Sequence, residues 1–357
     1  MCAFQVNAHP AMTRHLVKAK IFANDPVVIV DVGARGGFND EWWVFGDAAR
    51  IYCFEPDEAE CAVLAKRAPD HVTYIPEALA AASGRARLYR TKLPWSAGLY
   101  KTNAAYFGRL LNRDNALPAG ESEIAVTTLS DVVARYGIPA IDFVKLDAEG
   151  AELDILKGVP QRALGGAILG VLSEVRFQRE INHSPNFAEL DVFLHRHGLS
   201  LFDLQFHRQS RHLLPYPQLD DYRLPTGERF FAYTTRGQIQ DGDALYFRDL
   251  LIPANEASVA ASSPRQILKL CALFEIYSLN DCAAELISTY RDRLRPLINC
   301  DTLLDLLTRG VNRRFQSFDA YVGAYFRGEV PHARTRSLPS RVAGLMMRCI
   351  RALNSST

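Results

Sequence analysis

Val27-Val28-Ile29-Val30-Asp31-Val32-Gly33-Ala34-Arg35-Gly36-Gly37 is a β-branched run closed by a glycine-rich turn. That is the pattern of a strand buried on both faces of a parallel sheet. Working outward, Arg50-Ile51-Tyr52-Cys53-Phe54 forms a second such run and stops at Glu55-Pro56-Asp57, with helical composition over 57–67. The pattern then predicts a strand at 72–75, an added hairpin strand at 85–89 and an irregular stretch over 93–120. Beyond it come a strand at 124–126, a helix at 129–136, a strand at 141–146 and a helix at 149–156. A buried strand at 167–175, a helix at 187–197 and strands near 199–206 and 229–234 follow. Upstream, 10–23 reads as a short helix.

Strands alternating with helices indicate an α/β doubly wound sheet. A helix followed by two strands at the close predicts a Rossmann-like methyltransferase sheet with a terminal antiparallel strand. The expected organisation is an N-terminal helical segment (1–24), the α/β domain (25–250), an Ala/Ser-rich linker (251–264) and a small helical C-terminal region (265–357).

The chain has 357 residues, a formal net charge of +1, 48% hydrophobic and 23% charged residues. Length favours one large domain with a smaller addition, and the composition excludes a disordered chain. Near-neutral charge removes the basic balance of a general nucleic-acid binder, so no nucleic-acid partner is expected. No apolar run approaches the roughly 20 residues that span a bilayer. His9, Arg14, His15 and Lys18 interrupt the first apolar stretch, so no secretory leader is expected. Cys2, Cys53, Cys61, Cys271, Cys282, Cys300 and Cys349 are scattered and never spaced C-x-x-C, which fits reduced thiols in a cytoplasmic protein.

The turn after the first strand rejects two nucleotide motifs. A dinucleotide fingerprint requires a second glycine where Arg35 stands, and no G-x-x-x-x-G-K-[ST] loop is present. An acidic residue followed by glycines at offsets two and six suits a cofactor with a zwitterionic amino-acid tail. Asp31 can anchor an ammonium, while Gly33 and Gly37 let backbone amides approach. Glu55, at the tip of the second strand, can accept hydrogen bonds from both hydroxyls of a ribose. Together these features suggest S-adenosylmethionine (SAM).

Ile141-Asp142-Phe143-Val144-Lys145-Leu146-Asp147-Ala148-Glu149-Gly150-Ala151-Glu152 is the most informative segment. Alternation places Lys145 and Asp147 on one side of the strand, with Asp147 at its carboxyl end, where open α/β sheets bind ligands. Glu149 and Glu152 fall near a helix start, where the dipole favours anions. This segment, with 31–37, Phe54-Glu55-Pro56, Ala78-Leu79, Thr128-Leu129, Leu156-Lys157-Gly158 and 243–248, resembles the FkbM family of SAM-dependent methyltransferases. K-x-D-x-E-G-x-E is the specific part. The resemblance covers 25–248 and does not reach the helical C-terminal region.

The resemblance implies that Asp31, Gly33 and Gly37 hold the methionine part, Glu55 the ribose and Glu77-Ala78 the adenine edge. Ala34, Arg35 and Pro56 complete the expected cofactor-binding set. The family often has Asn at the position of Arg35, whose guanidinium either contacts the methionine carboxylate or crowds the site. The resemblance further implies methylation of a hydroxyl on a sugar or natural-product scaffold. Such a reaction needs an aligned nucleophilic oxygen and a proton acceptor. Asp147 and Glu149 are the candidates for that acceptor, with Lys145 tuning them.

On the substrate side, the polar stretch after the fifth strand supplies Glu174, Arg176 and His183. Glu174 either walls the acceptor pocket or ion-pairs with Arg176. His183, His195, His197, His207 and His212 are expected to be solvated, and with no H-E-x-x-H or C-x-x-C beside them no metal centre is expected. Trp42, Trp43, Trp95, Tyr100, Tyr106 and Phe107 read as packing rather than as sugar-stacking platforms. The tail from Pro331 carries Arg334, Arg336, Arg341, Arg348 and Arg351 and no acidic residue. It reads as a final packing helix, or as a basic amphipathic element touching the inner membrane face peripherally. The function expected is O-methylation of a sugar or cell-surface glycan precursor. A small natural-product acceptor, or a non-catalytic SAM-binding or assembly module, are the alternatives.

Overall fold

The computed structural model describes residues 6–93, 96–111, 113–114, 116–160, 163–214, 233–255 and 260–330. The strands are β1 (Val27–Val32), β2 (Ala49–Phe54), β3 (Val72–Ile75), β4 (Ala78–Leu79), β5 (Gly84–Thr91), β6 (Pro118–Thr127), β7 (Phe143–Leu146), β8 (Gly170–Arg176), β9 (Ser200–Gln209) and β10 (Gln238–Phe247). The helices are α1 (Ala11–Lys18), α2 (Glu58–Ala65), α3 (Ala104–Phe107), α4 (Leu129–Tyr136), α5 (Glu152–Lys157), α6 (Phe187–Arg196), α7 (Pro264–Ile276), α8 (Asn280–Thr289), α9 (Arg291–Leu294), α10 (Cys300–Val311) and α11 (Phe318–Phe326).

Among the described residues, seven strands form one sheet in the order β3-β2-β1-β7-β8-β10-β9. β10 runs antiparallel to both β8 and β9, and the other pairings are parallel. The doubly wound methyltransferase-type sheet is therefore present, with its antiparallel strand inserted beside the edge. Every residue of β1 is buried, as its β-branched composition requires of a central strand covered on both faces.

Several elements differ from their sequence reading. The closing strand expected at 229–234 lies mostly outside the described residues; β10 does that work, and it contains most of the 243–248 segment. The strands expected at 85–89 and 124–126 belong to a separate three-stranded sheet, order β4-β6-β5. The helix expected from 149 starts at Glu152. Trp95, Cys2, Cys349 and the basic tail over 334–357 lie outside the described residues.

Two apolar clusters cover the two sheet faces. On one face, Val28, Val30, Val144, Leu146, Val171 and Tyr246 pack with Leu129, Ile155, Leu156, Leu190 and Leu194 from α4, α5 and α6. On the other, Val27, Ile29, Ile51, Phe143 and Phe247 pack with Met12 and Leu16 of α1 and with α7, α8 and α10. The C-terminal helices thus share one core with the sheet.

Helix α7 explains that packing. Ser263 and Gln266 form a capping box and Pro264 sits in the first turn, a strong start signal. Every residue from Ile267 to Ile276 is then buried. Two of them are charged, and both are paired. Lys269 reaches Asp142 at 2.9 Å and Asp25 at 2.7 Å, while Glu275 accepts the Met12 and Thr13 backbone amides of α1.

Candidate cofactor and acceptor site

The parallel strands β1, β2 and β7 end together. Asp31, opposite Cys53 and Lys145 in the ladder, is fully buried. Lys145 Nζ lies 3.2 Å from Asp31 Oδ1 and 3.5 Å from Asp147 Oδ2, and donates to the Gly33 carbonyl at 3.2 Å. Neither Asp31 oxygen accepts a well-directed hydrogen bond from the described residues. Burial pushes its carboxyl up to about 6 against the pull of Lys145. Burial also works against the Lys145 charge, but Asp31 and Asp147 outweigh it and hold the ammonium above its ordinary range. Two carboxylates around one ammonium leave a net negative charge when all three are ionised. That charge favours a cationic group of a ligand at this edge.

The turn above this triad is shaped for close approach. Gly33 has φ +78°, and a Cβ on it would lie 1.9 Å from the Asp147 carbonyl oxygen. A side chain at Gly36 would meet nothing within 4 Å, so the turn opens to free space beyond. Glu55, 4% exposed, accepts the Asp57 amide at 2.8 Å. Burial raises its carboxyl, with the Asp57 amide and Arg35 opposing. Arg35 stands 3.9 Å from Glu55 and 3.5 Å from Asp57, and Ala34 is tied to the Phe54 carbonyl. Pro56 follows Glu55 into the α2 cap, where Asp57 accepts two amides. A buried carboxylate paired only with Lys145, a net negative charge and open space over Gly36 fit the residues to SAM. Glu77 is the exception to this convergence. Its carboxylate is held by Arg135 at 2.5 Å and Tyr136 at 3.1 Å, so only its backbone and Ala78 face the adenine role.

Beyond β7 the chain makes a tight loop. Glu149 takes a left-handed conformation, φ +52°, which turns it toward β8. Glu152 accepts the Ala148 and Gly150 amides at 2.9 and 3.1 Å, so it shapes the loop. Arg176, 4% exposed, collects Glu149 at 2.8 Å, Glu174 at 2.7 Å, Glu180 at 3.1 Å and Glu152 at 3.8 Å. Of the two alternatives for Glu174, the ion pair with Arg176 is present, near the carboxyl end of β8. Burial raises Glu149 to about 7 despite Arg176, with Asp147 and Glu152 adding to the rise. His183 stays exposed, in a left-handed turn, apart from this cluster.

The stretch between β5 and β6 packs over the loop after β7 and the segments that follow β8 and β9. Gly98 packs so closely on Glu149 that a Cβ would lie 2.8 Å from its carbonyl oxygen. The Asn103 amide donates to Glu180 O at 2.7 Å, the Asn182 amide to Lys101 O at 2.9 Å and the Leu111 amide to Ser210 O at 3.0 Å. Tyr100 donates to Asp154.

Sequence reasoning missed the far wall. His207 is buried rather than solvated, with Nδ1 2.6 Å from Asp241 Oδ1, and its ring stacks on Tyr233 at 4.3 Å. Asp243 stands opposite Glu174 and Asp241 opposite Arg176. The signal was there in the alternation Asp241-Gly242-Asp243, but it is readable only once β10 is placed against β8.

Residues 31–201 match the model of the Methyltransferase FkbM domain. No curated protein matches the chain. Among solved structures, the chain is similar to precorrin-6y C5,15-methyltransferase from Geobacter metallireducens, at 12% identity, 66% of this chain, 87% of that one and TM-score 0.29. It is also similar to magnesium protoporphyrin IX methyltransferase from Synechocystis with bound SAM, at 10% identity, 67% and 79% coverage and TM-score 0.26. A third likeness is to 1,6-didemethyltoxoflavin-N1-methyltransferase from Burkholderia thailandensis with bound S-adenosylhomocysteine, at 12% identity, 68% and 79% coverage and TM-score 0.25. At such scores these likenesses add nothing to the assignment, which rests on the family match. The chain carries an FkbM methyltransferase domain and is a SAM-dependent methyltransferase.

Proposed function

We propose that the enzyme methylates a hydroxyl of a sugar or glycan precursor. The observation that carries this reading is the cluster of carboxyl groups at the carboxyl ends of β7 and β8 and on the neighbouring β10. Asp147, Glu149, Glu174 and Asp243 make up this cluster, three of them pushed above their ordinary values by burial. Carboxyls held above their ordinary range by burial can both accept from and, when protonated, donate to hydroxyls, which suits a polyhydroxylated ligand.

Asp31, Gly33, Ala34, Arg35 and Gly37 would hold the methionine part, Glu55 and Pro56 the ribose end, and the Glu77-Ala78 backbone the adenine edge. The bound cofactor supplies a methyl group on a positively charged sulfur. The acceptor oxygen forms the new bond to the methyl carbon, and the electron pair of the broken carbon–sulfur bond stays on sulfur. The hydroxyl proton passes to Asp147 or Glu149 and then to water. Lys145 fixes the position of Asp147. Glu149, at about 7, is poised for proton exchange near neutral pH. Glu174 and Arg176 would wall the acceptor, with His183 at the rim.

The test separates acceptor classes. Isotope-labelled SAM is incubated with the enzyme and, separately, with a glycan fraction and a small-molecule extract of the producing cells. Mass spectrometry then looks for the gain of one methylene. Label in the glycan fraction is the expected result. Label confined to small molecules without sugar overturns the sugar assignment.

A further inference from the structure

His207 and Asp241 sit at the far end of the same carboxyl edge. Asp241 accepts the Nδ1 proton, which leaves Nε2 as the open position of the ring. Nε2 is buried and finds no hydrogen-bond partner among the described residues. The dyad is coupled electrostatically to the carboxyl groups beside β7. Asp243 lies within electrostatic reach of Asp147 and Lys145 on one side and of His207 and Asp241 on the other. The stretch between β5 and β6 reaches the end of β9, where Leu110 bridges Arg211.

Distance decides what the dyad can do. Leu146 pairs with Ser173, and the next residue of β8, Glu174, pairs with Asp243. Asp243 is thus two strand steps from Asp147, about 10 Å at the usual strand spacing, and His207 belongs to the strand beyond. Proton transfer needs heavy atoms about 2.6–3.2 Å apart. An oxygen being methylated beside Asp147 is out of reach of His207. The gap suits a further ring of the acceptor.

We propose that His207, held by Asp241 and flanked by Asp243, is a second acceptor subsite, binding a hydroxyl on a ring adjacent to the one that is methylated. A hydroxyl suits Nε2 in either protonation state, donating to the neutral ring or accepting from the charged one. The preferred acceptor is then a glycoside or oligosaccharide rather than a free monosaccharide. This inference rests on the O-methylation reading.

The experiment uses the full chain and neutral oligosaccharides released from the producing cells' glycans. In methyl transfer from labelled SAM, His207→Gln and Asp241→Asn are expected to raise KM for the oligosaccharides about tenfold. SAM affinity and kcat are expected to stay close to wild type, with the SAM affinity also reporting that the variants fold. A kcat collapse at unchanged KM would make His207 the proton acceptor, and no change in either would make it packing; both overturn the subsite. A separate readout is the His207 ring-nitrogen resonance in enzyme saturated with S-adenosylhomocysteine. If the wild-type enzyme methylates no glycan, the O-methylation reading falls. The resonance then decides alone: a shift on adding oligosaccharide keeps the subsite, and no shift ends it.

Discussion

Lys145 lies between Asp31 and Asp147, so the ammonium that we propose to sit there would meet one carboxylate charge not cancelled by a protein cation. Its binding therefore depends on both carboxylates being ionised. The groups facing Asp31 are Lys145, Asp147 and Glu41, and its folded value is about 6. SAM affinity is expected to be full above that value and to fall as pH drops through about 6. For folding the sign reverses. A carboxyl raised above its unfolded value stabilises the fold at low pH, and that contribution is lost as pH rises through the folded value. SAM should thus add more thermal stability at pH 7.5 than at pH 5, as read by unfolding scans with and without cofactor. A SAM-induced shift that is flat across this range would remove Asp31 from the ammonium site. Glu55 is tested separately. Glu55→Ala should weaken SAM binding by about 1–3 kcal/mol through lost charge-assisted hydrogen bonds, measured by calorimetric titration. A wild-type titration curve would remove the ribose assignment.

At the scale of elements, the turn after β1 and the loop after β7 are built against each other. Gly33→Ala places a Cβ against the Asp147 carbonyl and forces an L side chain to φ +78°. The backbone conformation alone costs about 1–2 kcal/mol, and the clash adds to it. A lowered melting temperature together with lost SAM binding is expected, and wild-type values for both would contradict the close approach. These two elements were legible in the sequence because Asp31, Lys145 and Asp147 obey strand alternation within short windows. The far wall was not. Asp241 and Asp243 reveal their partners only through the β8–β10 register, and His207 lies where the β9–β10 pairing shifts register between Ile239 and Gly242. Glu149 depends on a left-handed turn that composition does not announce. The second sheet was hidden for a similar reason, since β5 and β6 pair across the long segment between them.

For the whole molecule, the C-terminal helices were legible as helices, but not as one cover of the sheet. Their apolar periodicity says that they pack, and it does not say on what. Lys269 marks the join, because it is buried on α7 and paired with Asp142 at the foot of β7. Asp142 in turn accepts the Val28 amide at 2.8 Å. Lys269→Met leaves an uncompensated buried carboxylate and should cost about 3–5 kcal/mol at neutral pH or above. Burial already raises Asp142 to about 6 against the pull of Lys269, so protonation should relieve much of that cost near pH 5. Chemical unfolding at the two pH values checks this, and an equal loss at both would contradict the pairing.

The central proposal is that the carboxyl cluster at this edge directs a methyl group onto a hydroxyl oxygen. The most direct measurement is the NMR position of an isotopically labelled methyl carbon after transfer to the glycan fraction, for wild type and Asp147→Asn. The account predicts a methyl bonded to oxygen, with turnover in Asp147→Asn lower by about 10²–10⁴-fold and SAM affinity within several-fold of wild type. A methyl on nitrogen or carbon, or an Asp147→Asn enzyme that turns over like wild type, would contradict it.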